Sequence, residues 1–98
     1  MKTHERALKS GVRFSGCTVH YVRTEMDSGP IISQAAVPIH QNDNPDILAA
    51  RVLAAEHLCY PHALSLIARG KTKIIDEKVL IEGNETRDTV LFNPDEKF

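Results

Sequence analysis

Asp27 stands in "HYVRTEMDSGPIISQ", between a run with strand character and a Ser-Gly-Pro turn that leads into another such run. An aspartate before Ser-Gly-Pro can bond its own backbone and punctuate a turn. A carboxylate held on a loop between two strands can equally acquire a raised pKa and move a proton in a reaction. Spacing alone leaves both readings open. The other chemistry-bearing residues are fewer than their number suggests. The chain has five histidines. His57 and His62, on one helical stretch, are spaced i, i+5 and fall on different faces, whereas helical metal ligands are spaced i, i+4. His4, His20 and His40 belong to other elements, so no metal site is expected.

The two cysteines, Cys17 and Cys59, have no C-x-x-C spacing and no apolar leader precedes them, which indicates reduced thiols and a cytoplasmic protein. Cys59 falls on an apolar helical stripe and reads as inert core. The sequence has neither the P-loop nor the dinucleotide type of glycine-rich phosphate loop.

The elements that must position Asp27 follow from periodicity. "THERALKSG" reads as the tail of a helix, with Thr3 as N-cap and Gly11 as stop. "CTVHYV" is a strand with Cys17, Val19 and Tyr21 on one face and Thr18, His20 and Val22 on the other, which suits a sheet edge. "PIISQAAVPIH" is a second strand, with prolines at its two ends where a missing N–H is tolerated.

The clearest helix begins at "NPD", with Asn44 as N-cap, Pro45 at the first helical position and Asp46 complementing the dipole, and it stops at Gly70. Leu48, Val52, Ala55, Cys59, Ala63 and Leu66 form one stripe that must pack on a sheet. Pro61 inside it predicts a kink near His57 to Tyr60. Two short runs, Lys73 to Ile75 and Lys78 to Glu82, joined by Asp76-Glu77, form a hairpin. The remaining tail has no assignable pattern.

The 98 residues allow one small domain, and 42% apolar and 26% charged residues with a net charge of -1 describe an ordinary globular chain. No basic block or interleaved aromatics suggest nucleic acid as a partner, and no apolar stretch is long enough to span a bilayer.

Three linked motifs, "VHYV", "DSGPIISQ" and "EHLCYP", in this order and at this separation, resemble the C-terminal half of glycinamide ribonucleotide (phosphoribosylglycinamide) formyltransferase, over about Thr3 to Lys73. The resemblance implies an α/β fold: the C-terminal half of the formyltransferase-type twisted sheet, with one long kinked helix, a C-terminal β-hairpin and the N-terminal Rossmann-like half missing. Residues 1–98 would then be a single partial domain. It implies a folate-dependent formyltransferase of purine biosynthesis, in which 10-formyltetrahydrofolate gives its formyl group to the amine of glycinamide ribonucleotide.

On this resemblance Asp27 is the catalytic acid/base. Thr24, Glu25, Met26, Asp27, Ser28 and Gly29 form the loop whose backbone lines the folate pocket. Glu56 contacts the ribose of the nucleotide substrate, and His20 lies near the site. The family's Asn-x-His-Pro-Ser segment does not occur in these residues, which implies that the chain alone is catalytically silent and acts with a separate N-terminal half or by self-association. Two alternatives stand beside this reading: a formyltetrahydrofolate deformylase fragment, and a non-catalytic domain that associates through its exposed sheet edge.

Overall fold

The computed structural model describes residues 3–22, 29–83, 86 and 88–96. Along the chain these form α1 (Thr3–Ser10), β1 (Phe14–His20), β2 (Ile31–Pro38), α2 (Pro45–Ala68), β3 (Thr72–Ile75) and β4 (Lys78–Ile81). β1 and β2 pair antiparallel, as do β3 and β4, so among the described residues there are two separate two-stranded sheets. A two-stranded ribbon is marginal by itself in water. In this fold α2 lies across both strands and supplies the missing apolar layer.

β1 starts three residues earlier than the strand propensities of "CTVHYV" suggest, because Phe14, Ser15 and Gly16 pair with Pro38, Val37 and Ala36. Gly16 is required there by close approach: a Cβ at this position would lie 2.0 Å from the carbonyl oxygen of Ala35. Only glycine lets the strands come so close. The regular register runs from Phe14↔Pro38 to Val19↔Ser33 and then slips to His20↔Ile31, which leaves Ile32 as the extra residue of a β-bulge. The bulge turns two consecutive residues toward α2: Ile32 is buried in its core cluster and the Ser33 hydroxyl meets Cys59.

α2 runs 24 residues without a break through Pro61. Its start is built as the sequence indicates, since Asn44 Oδ1 accepts from the Ile47 N–H at 2.9 Å and Pro45 takes the first turn. Gly70, at φ 66°, ends it. Leu48, Val52, Cys59, Ala63 and Leu66 are buried and Ala55 is half-buried against them, so the expected stripe is the packed face.

Two clusters lie along that face. Near the start of α2, Leu48 and Val52 pack with Val37 and Ile39, and with Ala7 and Leu8 of α1. Toward its end, Cys59, Ala63 and Leu66 pack with Val19 and Ile32, and with Val79 and Ile81 of the hairpin. Burial of each such aliphatic side chain is worth roughly 1.5–3 kcal/mol. Cys17 belongs to the edge of both clusters and joins them.

Thr3 is already helical rather than a cap ahead of the helix, and Gly11, at φ 74°, terminates α1 as expected. In the hairpin, Asp76 (φ 52°) and Glu77 (φ 63°) form the two-residue turn, the left-handed pair that matches strand twist. The tail, unassignable from its pattern, is held by Asn93, whose side-chain amide donates to the carbonyls of Arg13 (2.6 Å) and Ile39 (2.9 Å). The Asn93–Pro94 peptide is cis.

Candidate functional site

The site is built around the point where β1 ends and β2 begins. The Tyr21 N–H donates to the Pro30 carbonyl at 3.0 Å, one rung beyond the assigned strands. The chain therefore leaves the sheet at Val22 and returns at Gly29 from neighbouring positions. Residues 23–28 lie outside the described residues, and with them Asp27, Thr24, Glu25, Met26 and Ser28 of the expected catalytic loop. Of that loop only Gly29 is placed, half-buried beside a buried Pro30.

Three interactions fix the base of this excursion. His20 Nδ1 lies 2.8 Å from the Tyr21 carbonyl oxygen. A carbonyl only accepts, so Nδ1 carries the hydrogen, and Nε2 is the acceptor in the neutral ring. The Tyr21 hydroxyl meets the Thr72 hydroxyl at 2.8 Å and ties the end of β1 to the start of β3. The bulge at Ile32 supplies the third constraint, the local bend that sheets often place beside a functional loop.

Glu56 lies on α2, half-buried. Its negative charge reaches the Cys17 thiol of β1: burial is the largest cause holding that thiol above its ordinary range, and the neighbouring Cys59 and Glu56 add to it. Glu56 thus stands over β1 on the side of the sheet that faces the helix. His20 does not join it. Cys17, Val19 and Tyr21 pack toward α2, so Thr18 and His20 leave the strand from the reverse face. On that face Gln34 donates from Nε2 to the Thr18 hydroxyl at 3.0 Å. The sheet therefore separates the two side chains that the family resemblance groups around Asp27.

His57 and His62 are exposed on α2, and among the described residues no three His, Cys, Asp or Glu side chains converge in a way that would hold a metal. No helix among the described residues is long and apolar enough to cross a membrane.

Sequence periodicity gives no sign of a charged clamp at the start of α2. Arg51 donates to Asp43 through both terminal guanidinium nitrogens, Nη1 at 2.5 Å and Nη2 at 3.0 Å, and Nη1 also donates to the Pro38 carbonyl at 2.9 Å. Asp43 further accepts from the His40 N–H at 2.9 Å. The Arg51 hydrogen bonds, followed by the one from His40, lower the Asp43 carboxyl to about 2. The clamp locks the connection from β2 to α2, and so sets how the helix that carries Glu56 crosses the sheet. Asp43 and Arg51 are spaced eight residues apart, across a helix cap, which no local motif encodes.

The described residues place one antiparallel strand pair under one long helix. The formyl transferase family is matched over residues 1–64, and the chain belongs to that family. It is 39% identical over 83 residues to the phosphoribosylglycinamide formyltransferase of Escherichia coli K12, covering 85% of this chain and 39% of that protein. The crystal structure of phosphoribosylglycinamide formyltransferase from Anaplasma phagocytophilum superposes with a TM-score of 0.79 at 48% identity, covering 88% of this chain and 43% of that one. A formyltetrahydrofolate deformylase from Pseudomonas syringae superposes with a TM-score of 0.76 at 26% identity, over 81% of this chain and 26% of that one. The chain thus spans less than half the length of each of these proteins.

Proposed function

We propose that the chain forms the C-terminal portion of a phosphoribosylglycinamide formyltransferase, in which the formyl group of 10-formyltetrahydrofolate passes to the amine of glycinamide ribonucleotide. The observation that carries this reading is the likeness to the Anaplasma formyltransferase, at 48% identity against 26% for the deformylase over a similar share of the chain. In this reading Asp27 removes the proton that the attacking amine loses as the tetrahedral intermediate forms and collapses. The backbone of residues 24–29 receives the pterin, and Glu56 accepts hydrogen bonds from the ribose hydroxyls.

His20, which in this reading lies near the site, donates from Nδ1 to the Tyr21 carbonyl. A carboxylate that takes a proton cannot also stabilise the developing oxyanion, which needs a hydrogen-bond donor.

The test is a chimera in which the 98 residues replace the matching segment of the Escherichia coli relative. Formyl transfer that requires glycinamide ribonucleotide supports the proposal. Release of free formate at the same rate without any amine acceptor supports the deformylase reading instead. A folded chimera with neither activity supports a domain that only associates.

A further inference from the structure

Cys17 and Cys59 are the chain's two cysteines, and both are free thiols. Far apart in sequence, they meet in the fold. On β1, Cys17 pairs with Ala35, two positions along β2 from Ser33, which pairs with Val19. Cys17 and Ser33 are therefore diagonal neighbours on the face beneath α2. Above them the Cys59 sulfur lies 3.2 Å from the Ser33 hydroxyl. Cys17 packs against the buried cluster that contains Cys59, Val19 and Ile32, and Cys59 is among the neighbours that act on its thiol.

We propose that Cys17 and Cys59 are a modification site, a dithiol that exchange with a small disulfide such as glutathione disulfide converts into an intrachain cross-link between β1 and α2.

The two positions differ in the way a sequential exchange requires. Cys17 is half-buried at the edge of the packed clusters, whereas Cys59 is 6% exposed. Cys17 therefore reacts first. Its thiolate attacks one sulfur of glutathione disulfide: a Cys17–glutathione disulfide forms, the glutathione S–S bond breaks, and one glutathione leaves as thiolate and takes up a proton. Cys59 then attacks the Cys17 sulfur. The protein disulfide forms and the second glutathione leaves. The two cysteines lose two electrons and two protons in total, and both glutathione sulfurs are reduced to thiols.

Ser33 stands where its hydroxyl can donate to the Cys59 sulfur as that thiol ionises. The Cys17 thiol faces Cys59 and Glu56 from α2 and the backbone of Ala35 from β2. Burial and the two acidic groups oppose its ionisation, so the first step is slow at neutral pH and quickens as pH rises. The cross-link joins the strand that leads into the Asp27 excursion to the helical turn that carries Glu56.

The test uses the reduced chain, incubated with glutathione disulfide in its native state and in guanidinium, then alkylated under denaturing conditions and analysed by intact mass and peptide mapping. The proposal expects a native product lighter by two hydrogens, without alkylation, whose mapped peptides join residues 17 and 59. The ratio of cross-link to glutathione adduct should be roughly tenfold or more higher in the folded chain than in the unfolded one. Cys59→Ser should stop at a glutathione adduct on Cys17, and Cys17→Ser should leave Cys59 unmodified. An equal ratio in the two states, a persistent adduct on Cys17 beside a free Cys59, or cross-links between two chains would each overturn it.

Discussion

The hydroxyls of Tyr21 and Thr72, 51 residues apart in the chain, are hydrogen-bonded at 2.8 Å. This bond ties the strand that leads into the Asp27 excursion to the C-terminal hairpin, while the backbone of the same tyrosine closes the excursion at Pro30. Tyr21→Phe keeps the ring and its packing but removes the bond. Stability should fall by about 1 kcal/mol, and amide exchange in β3 and β4 should accelerate more than in α2. Equal acceleration throughout would show that the bond does not anchor the hairpin locally.

Gly16 is a second fixed point. Since a Cβ there would meet the Ala35 carbonyl at 2.0 Å, and both partners are backbone, Gly16→Ala must push the strands apart. The expected cost is about 1–3 kcal/mol, read from the urea midpoint. Restored stability on a compensating change at Ala35 is not expected, because the obstacle is its main-chain oxygen. A variant as stable as the parent would contradict the β1–β2 register.

The Asp43–Arg51 clamp makes a pH-dependent contribution whose sign follows from the direction of the shift. The folded carboxyl titrates near 2 against an ordinary value of 3.8. Its contribution is therefore fully present above pH 3.8 and is lost as pH falls toward 2. Asp43→Asn should lower stability at neutral pH and flatten the acid limb of the stability curve over that window. If the variant and the parent lose stability in parallel there, another group governs the acid limb.

Leu48, with 0% exposure, sits where α1, β2 and α2 meet, whereas Leu58 on the outer face of the same helix is 76% exposed. Leu48→Ala should cost about 2–5 kcal/mol through lost burial and the cavity left behind, measured by chemical unfolding. Leu58→Ala should stay within about 0.5 kcal/mol of the parent. Similar losses at the two positions would mean that the helix faces are assigned wrongly.

The helix and its buried stripe were legible in the sequence because their signals are local: Asn44-Pro45-Asp46 at one end, Gly70 at the other, and apolar residues at helical spacing between them. The hairpin was legible for the same reason, and so was the orientation of Cys17, Val19 and Tyr21, which needs only alternation. What escaped depends on contacts between distant residues. β1 begins at Phe14 because β2 supplies partners, a fact that Ser15-Gly16 conceals. The Ile32 bulge depends on pairing register, and the tail is placed by one asparagine side chain reaching back to Arg13 and Ile39. At the candidate site, the family resemblance groups His20 with Asp27 and Glu56, but only the folded sheet shows that His20 and Glu56 stand on opposite faces. The meeting of Cys17 and Cys59 was invisible for the same reason, since their separation in sequence carries no spacing motif.

The most direct measurement of the central claim, that Asp27 moves the proton during formyl transfer, is the pH–rate profile of the chimera with Asp27→Asn, after circular dichroism has shown an unchanged fold. The account predicts a rate lower by roughly 10²–10⁴-fold, with the acid limb that reports a carboxyl group gone and the Michaelis constant for glycinamide ribonucleotide little changed. A variant that retains the parent's rate and the parent's acid limb would contradict it.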